Sequence, residues 1–155
     1  MEILLIKADR DDCQLIHEMQ VKSFQELLDK YQDFDINPGA ESLEKIEWRM
    51  ALANLDHYLI CLDDVKIGSV RVRTDLDAFR IGTTFILPEY QGKGYAKQAI
   101  LKVEQLYPGA KKWGLATIKQ EAKLCHLYES LGYRLTGGKD QIQDGMTIVY
   151  YLKEL

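Results

Sequence analysis

No apolar run in these 155 residues approaches the length of a membrane span. The stretch Ile3–Ile6 is too short for the core of a signal peptide, so a cytoplasmic chain with no membrane partner is expected. Proline is scarce, at three residues, and eleven glycines fall far below a collagen-like or Pro/Gly-rich disordered composition. Cysteine is scarce as well. Cys13, Cys61 and Cys125 lie far apart, in no metal-ligand spacing, which excludes a disulfide framework and gives no sign of a metal site. Excess positive charge is also missing, with 20 Lys+Arg against 24 Asp+Glu and a formal net charge of −4. That balance argues against general nucleic-acid binding, which needs clustered cations to displace counterions. What remains is a chain of 46% hydrophobic residues, enough for one ordinary core, and a single domain over residues 1–155 is expected.

The pattern of apolar residues predicts strand, two helices, three strands, helix, strand, helix and two strands. Ile3–Ile6 reads as a strand, and Asp11 with Gln14 reads as the capping box of a first helix through Tyr31. The turn-forming run from Gln32 to Gly39 ends that helix, and Ser42 is placed to cap the next. His57–Leu62 and Val65–Arg73 form a hairpin around Asp63-Asp64. In its second arm the apolar phase slips between Ile67 and Val70, which predicts a bulge near Gly68. Phe79–Leu87 and Trp113–Ile118 are further strands, and helices follow from Gly92 and from Glu121. Tyr133–Thr136, a Gly137-Gly138 turn and Met146–Leu152 complete the reading. Tyr150 and Tyr151 on that last strand are residues of a kind that builds interfaces, which leaves a homodimer open.

The stretch from Phe85 to Ala96 carries the chemistry. A strand stops at Pro88, a turn with Gly92 and Gly94 follows, and an amphipathic helix begins inside that turn. Glycine lets a backbone approach a ligand closely, and the first N–H groups of a helix lack internal partners. Together they suit a phosphate or pyrophosphate, with Lys93 adding charge. The Walker string is absent, and Lys97 stands where a Rossmann fingerprint needs its third glycine. The plainer reading of the glycine pair is a tight strand-to-helix connection.

Gln91-Gly92-Lys93-Gly94-Tyr95-Ala96 resembles the Gln/Arg-x-x-Gly-x-Gly/Ala signature of the GNAT superfamily of acyl-CoA N-acyltransferases. Leu127-Tyr128-Glu129-Ser130-Leu131-Gly132-Tyr133 is similar to that family's Leu-Tyr-Glu-x-x-Gly-Phe/Tyr segment, and the element order matches over nearly the whole chain. The resemblance implies an α+β fold with three α/β/α layers. Its sheet would be mixed, largely antiparallel, with six to seven strands and a splayed central pair. It also implies acetyl-CoA as co-substrate, no metal, and transfer of the acetyl group to a primary amine by direct attack in a ternary complex. The backbone of Phe85 and Leu87 would then pair with the pantetheine arm, an N–H near Ile86 would polarise the thioester carbonyl, and Gln91–Ala96 would hold the pyrophosphate. Such a preset donor is worth roughly 3 kcal/mol. Tyr128 would be the general acid toward the leaving thiolate; its plainer reading is a core tyrosine on an apolar helix face.

The acceptor, a small-molecule amine or a protein amine, would meet Tyr31, Asp33 and Asp35 of the acidic loop together with Glu121. Glu121 departs from the family pattern, which has an asparagine there, and a carboxylate cannot donate the amide's hydrogen bond. For the general base the candidates are Asp77, Glu89, Glu121 and the aspartates of the Asp33–Asp35 loop, since Phe79–Leu87 contains no carboxylate. The alternative reading is a non-catalytic acyl-CoA sensor.

Overall fold

The structure is a computed structural model that describes every residue from Met1 to Leu155. Its strands are β1 (Ile3–Lys7), β2 (Leu55–Leu62), β3 (Val65–Arg73), β4 (Phe79–Ile86), β5 (Lys112–Ile118), β6 (Arg134–Gln143) and β7 (Met146–Glu154). The helices are α1 (Cys13–Tyr31), α2 (Leu43–Met50), α3 (Tyr95–Leu106) and α4 (Ala122–Ser130). The seven strands form one sheet in the order β1-β2-β3-β4-β5-β7-β6, antiparallel throughout except for β4 against β5. This is the mixed, largely antiparallel α+β sheet expected. No helix is long and apolar enough to cross a membrane.

Each face of the sheet has its own core. Tyr58, Ile60, Ile67, Val70, Val72 and Ile81 pack under Ala99, Ile100 and Val103 of α3, with Trp113 fully buried beside them. On the other face Leu59, Cys61 and Phe85 meet Cys13, Ile16 and Met19 of α1 and Ile46 of α2. Alternate residues of β2 thus feed opposite cores, as a period of two requires. Cys13 and Cys61 are buried thiols, and burial raises the pKa of both.

The bulge near Gly68 is present. Ile60 stands opposite Gly68 but Cys61 opposite Lys66, which leaves Ile67 as the extra residue. The extra residue puts Ile67 in the same core as Val70 and Val72 despite their different parity.

Three local expectations are corrected. The first cap is Asp9, reciprocated by Asp12, on a short 3-10 turn, Arg10–Asp12, that leads into α1. Asp11 lies inside that turn, and Asp12 precedes the helix without a side-chain cap. Gly137-Gly138 is not a turn but lies within β6, where the ladder with β7 skips from Leu135 to Lys139. The reversal comes instead at Asp144-Gly145, with Gly145 at φ +79°. Finally, β7 is an inner strand and β6 the edge, so Tyr151 is buried, its hydroxyl donating to Glu129 at 2.7 Å.

Candidate active site

Parallel pairing of β4 and β5 is confined to Phe79 opposite Trp113 and Arg80 opposite Gly114. Beyond these pairs β4 stays with β3 as far as Ile86, and β5 stays with β7 as far as Ile118. A wedge therefore opens between two edges rich in backbone donors and acceptors. Its cause is local: Val70 pairs with Thr84 but Val72 with Ile81, so Gly82 and Thr83 together oppose Arg71. A bulge of this kind bends its strand and increases the local twist.

At the open end of β4, Leu87 donates its N–H to Ile67 at 2.7 Å. Antiparallel alternation then turns the backbone of Ile86 away from β3, toward the wedge. The Ile86 carbonyl receives Gln91 Nε2 at 2.8 Å, which braces the glycine turn against the strand end. Gln91 also gives its N–H to Pro88 at 3.2 Å. The same alternation turns the backbones of Phe85 and Leu87 toward β3, against the expectation that they face the wedge, and Gln91 has its N–H spent within the fold.

The turn itself fits an anion. Gly92 and Gly94 sit at φ +77° and +83°, and a Cβ on either would meet nothing within 4 Å. These are open, left-handed positions facing space, and Gly94 is the N-cap of α3 with no side-chain cap. The first bond of the helix runs from Gln98 N–H to the Gly94 carbonyl, so the N–H groups from Gly92 to Lys97 have no partner in the chain. Lys93 is exposed beside them, and Tyr95 is buried and anchors the helix start. Ala96, half-buried, packs against the core at the first turn.

Across the wedge, α4 ends in a Schellman motif: Tyr133 N–H bonds Tyr128 O, and Gly132 N–H bonds Glu129 O, both at 3.1 Å. Gly132 at φ +97° makes that ending sterically accessible. Tyr128 is thereby fixed one turn before the stop, its ring tilted against Tyr133 and Tyr151 at 6.4 and 6.3 Å between centroids. Its hydroxyl makes no hydrogen bond within the chain, and burial pushes its pKa up to about 12. The phenol is a proton donor at any physiological pH.

The expected acceptor residues lie near the open end but do not make a free acidic pocket. Glu121 precedes α4 and accepts from Lys30 Nζ at 2.7 Å and from the Tyr31 hydroxyl. Burial pushes the Glu121 carboxyl up, but hydrogen bonds from Lys30 and Tyr31 outweigh it and leave the pKa below the ordinary value. Asp33 is buried, its Oδ1 accepting from Asn37 Nδ2 at 3.0 Å, while Asp35 is exposed. Asp77 sits at the closed end of the wedge, 3.5 Å from Lys112, and Glu89 is exposed on the turn after β4. The chain holds no cluster of His, Cys, Asp and Glu suited to a metal.

One cluster was missed. Arg49, His57 and Arg71 gather under α1 and α2, around a small cavity bordered by Thr83 and Phe85. Its signal was in the hairpin: with the bulge near Gly68 included, the turn at Asp63-Asp64 sets His57 opposite Arg71. Burial first, and Arg71 second, draw the His57 pKa down to about 4. The unfolded chain therefore carries a proton on His57 between about pH 4 and 6.5 that the folded chain lacks. Stability is full above pH 6.5 and falls as pH drops toward 4, by about 2 kcal/mol at pH 5. Urea unfolding at pH 7 and pH 5 measures this loss, and His57→Gln is expected to flatten it.

Comparison with known proteins agrees with this geometry. The model of the Acetyltransferase (GNAT) family matches residues 16–133. No curated protein sequence matches the chain. Among solved structures, an acetyltransferase from Thermus thermophilus superposes with a TM-score of 0.78 at 16% identity, covering 100% of this chain and 98% of that one. A Thermoplasma acidophilum N-acetyltransferase in complex with coenzyme A gives 0.73 at 16% identity, with 100% of both chains covered. A spermidine N-acetyltransferase chimera of Vibrio cholerae gives 0.78 at 19% identity, covering 99% and 96%.

Proposed function

The chain belongs to the Acetyltransferase (GNAT) family of acetyl-CoA-dependent N-acetyltransferases, and from that premise we propose that its wedge brings a primary amine to the acetyl thioester for direct attack in a ternary complex. The single observation behind this reading is the β4 edge left open beyond Arg80, and a Tyr128 hydroxyl without a partner in the chain supports it. When bound, acetyl-CoA supplies an activated acetyl group on a thiol leaving group. The chain supplies the rest. Unpaired N–H groups from Gly92 to Lys97 hold the pyrophosphate at the positive end of α3. The Ile86 N–H, aimed into the wedge by strand alternation, polarises the thioester carbonyl where negative charge develops. Tyr128 donates its proton to the departing sulfur. Leu87 contributes by fixing the register of Ile86 through its bond to Ile67, and Gln91 by bracing the turn.

Spermidine is the acceptor named for one neighbour, but 19% identity carries the fold and not the substrate. An amine attacks only when neutral, so a base or water must first take its ammonium proton; β4 provides no carboxylate for this.

The glycine turn offers a direct test. In Gly94→Val the left-handed position resists a β-branched residue, and the new side chain projects into the cradle. Calorimetry is expected to show acetyl-CoA affinity at least tenfold weaker, with a thermal midpoint only a few degrees lower because no packed neighbour is displaced. Unchanged affinity would remove the pyrophosphate assignment.

A further inference from the structure

On the α1/α2 face of the sheet, the cavity bordered by Gln20, Arg49, His57, Arg71, Thr83 and Phe85 has a volume of about 20 Å³. Room of this measure takes about one water-sized polar group, enough for the tip of a ligand and not for its body. Its charges do not cancel. Glu41 is the carboxylate beside it, and Arg49 grips both Glu41 oxygens while Lys45 and Gln20 also reach them. Arg71 is left with no ion pair and no hydrogen bond in the chain, and burial draws its pKa down to about 10. Even a half-buried guanidinium without a counterion is destabilising, and an anion in the cavity would relieve that cost.

A second group points the same way. His57 is only 6% exposed, and its Nε2 is buried with no hydrogen-bond partner. It stands directly opposite Arg71 in the β2–β3 ladder, so both side chains project from the same face. A neutral imidazole can carry its proton on Nε2, and a ligand oxygen there would select that tautomer. The seat is also built from the other side. Gly82 lies against the guanidinium so closely that a Cβ would fall 2.9 Å from Arg71 Nε. The bulge that opens the wedge is therefore the same feature that makes room for Arg71.

Position links the cavity to the chemistry. Thr83 and Phe85 border it, and the Ile86 backbone turned into the wedge follows next on the strand. At a strand rise of about 3.3 Å per residue, the separation is on the order of 3–10 Å.

We propose that the acceptor is an amine that also carries a carboxylate, the carboxylate seated between Arg71 and His57 and the amine directed toward Ile86. This deepens the acetyltransferase reading and rests on it. The planar fork of Arg71 matches two carboxylate oxygens, and Glu41, the carboxylate near it, is held by Arg49. It also explains why the acidic residues near the mouth are engaged internally: a cationic acceptor without an acid group finds no free buried carboxylate here.

The test is thiol release from acetyl-CoA with the common amino acids, their ω-amino homologues and short peptides, each beside its own carboxamide. Acids are expected to exceed their amides in kcat/KM by tenfold or more, mostly through KM. Arg71→Gln is expected to bring that ratio close to one while the thermal midpoint holds or rises, since a half-buried charge without a partner is lost. Arg80→Gln, a charge removed from an exposed site on the neighbouring strand β4, is expected to leave the ratio intact. Equal use of acid and amide, turnover only of amines without a carboxylate, or turnover of no carboxylate-bearing amine each overturn the inference. Calorimetry with acetyl-CoA separates the levels: binding without acid preference sinks this inference alone, and absence of binding sinks the acetyltransferase reading together with it.

Discussion

Replacing Tyr128 by phenylalanine is expected to lower kcat by about a hundredfold or more, with acetyl-CoA affinity within about twofold of the parent protein. The contrast follows from what the side chain touches. Its ring packs on Tyr133 and Tyr151, contacts that phenylalanine keeps, and its hydroxyl has no partner in the chain to lose. Fold and midpoint are therefore expected to hold. Only the proton is removed. Burial raises the phenol from its ordinary value near 10 to about 12, so the group stays protonated throughout the working range. The parent enzyme should accordingly show no loss of activity from this residue up to about pH 10. Single-turnover thiol release across pH measures both effects. A variant at full rate would show that the sulfur leaves without help from Tyr128.

The second large effect concerns Gly68. A Cβ at this position would lie 2.0 Å from the Phe85 carbonyl oxygen and 3.0 Å from its carbon, both backbone atoms of the adjoining strand. A side-chain neighbour could rotate away, but backbone can yield only by parting β3 from β4. Gly68→Ala is expected to cost more than about 3 kcal/mol, beyond the usual range for overpacking by one methyl. For a chain of this size that corresponds to roughly 6–12 °C in thermal midpoint. The disturbance falls one residue from Ile86, so kcat should fall in whatever fraction remains folded. Gly109→Ala is the control, because a Cβ there meets nothing within 4 Å and needs no unusual φ. Calorimetric scans of the two variants decide the point: equal midpoints would mean that the bulge tolerates a side chain.

The elements that sequence made legible were those with a local cause. The slip between Ile67 and Val70 announced the bulge, and the Gly92/Gly94 pair announced the left-handed turn that opens α3. Ser42 caps α2 as its position suggested, accepting from Lys45 N–H at 3.2 Å. Where glycine had two uses, the local signal failed. Gly137 needs its positive φ for an irregularity inside β6, not for a reversal, and the Asp144-Gly145 turn that does reverse the chain was passed over. The acidic loop misled for a different reason. Tyr31 and Lys30 find Glu121 about ninety positions away, and no nearby pattern reveals that the charge is already spent. Arg49, His57 and Arg71 converge from three elements, so their grouping depends on register and packing that spacing along the chain does not display.

The narrow junction between β4 and β5 has a consequence for how the sheet is assembled. Strands β1 to β4 pair in chain order, and β5, β6 and β7 pair among themselves, so most ladders close over short stretches of chain. Between these two blocks there are only two registered residue pairs, spanned by α3 and its buried apolar face. The opening that admits a ligand is thus also the weakest suture of the sheet. A molecule lying along it and bonding to both edges would act as a missing strand, gaining affinity while tying the halves of its host together.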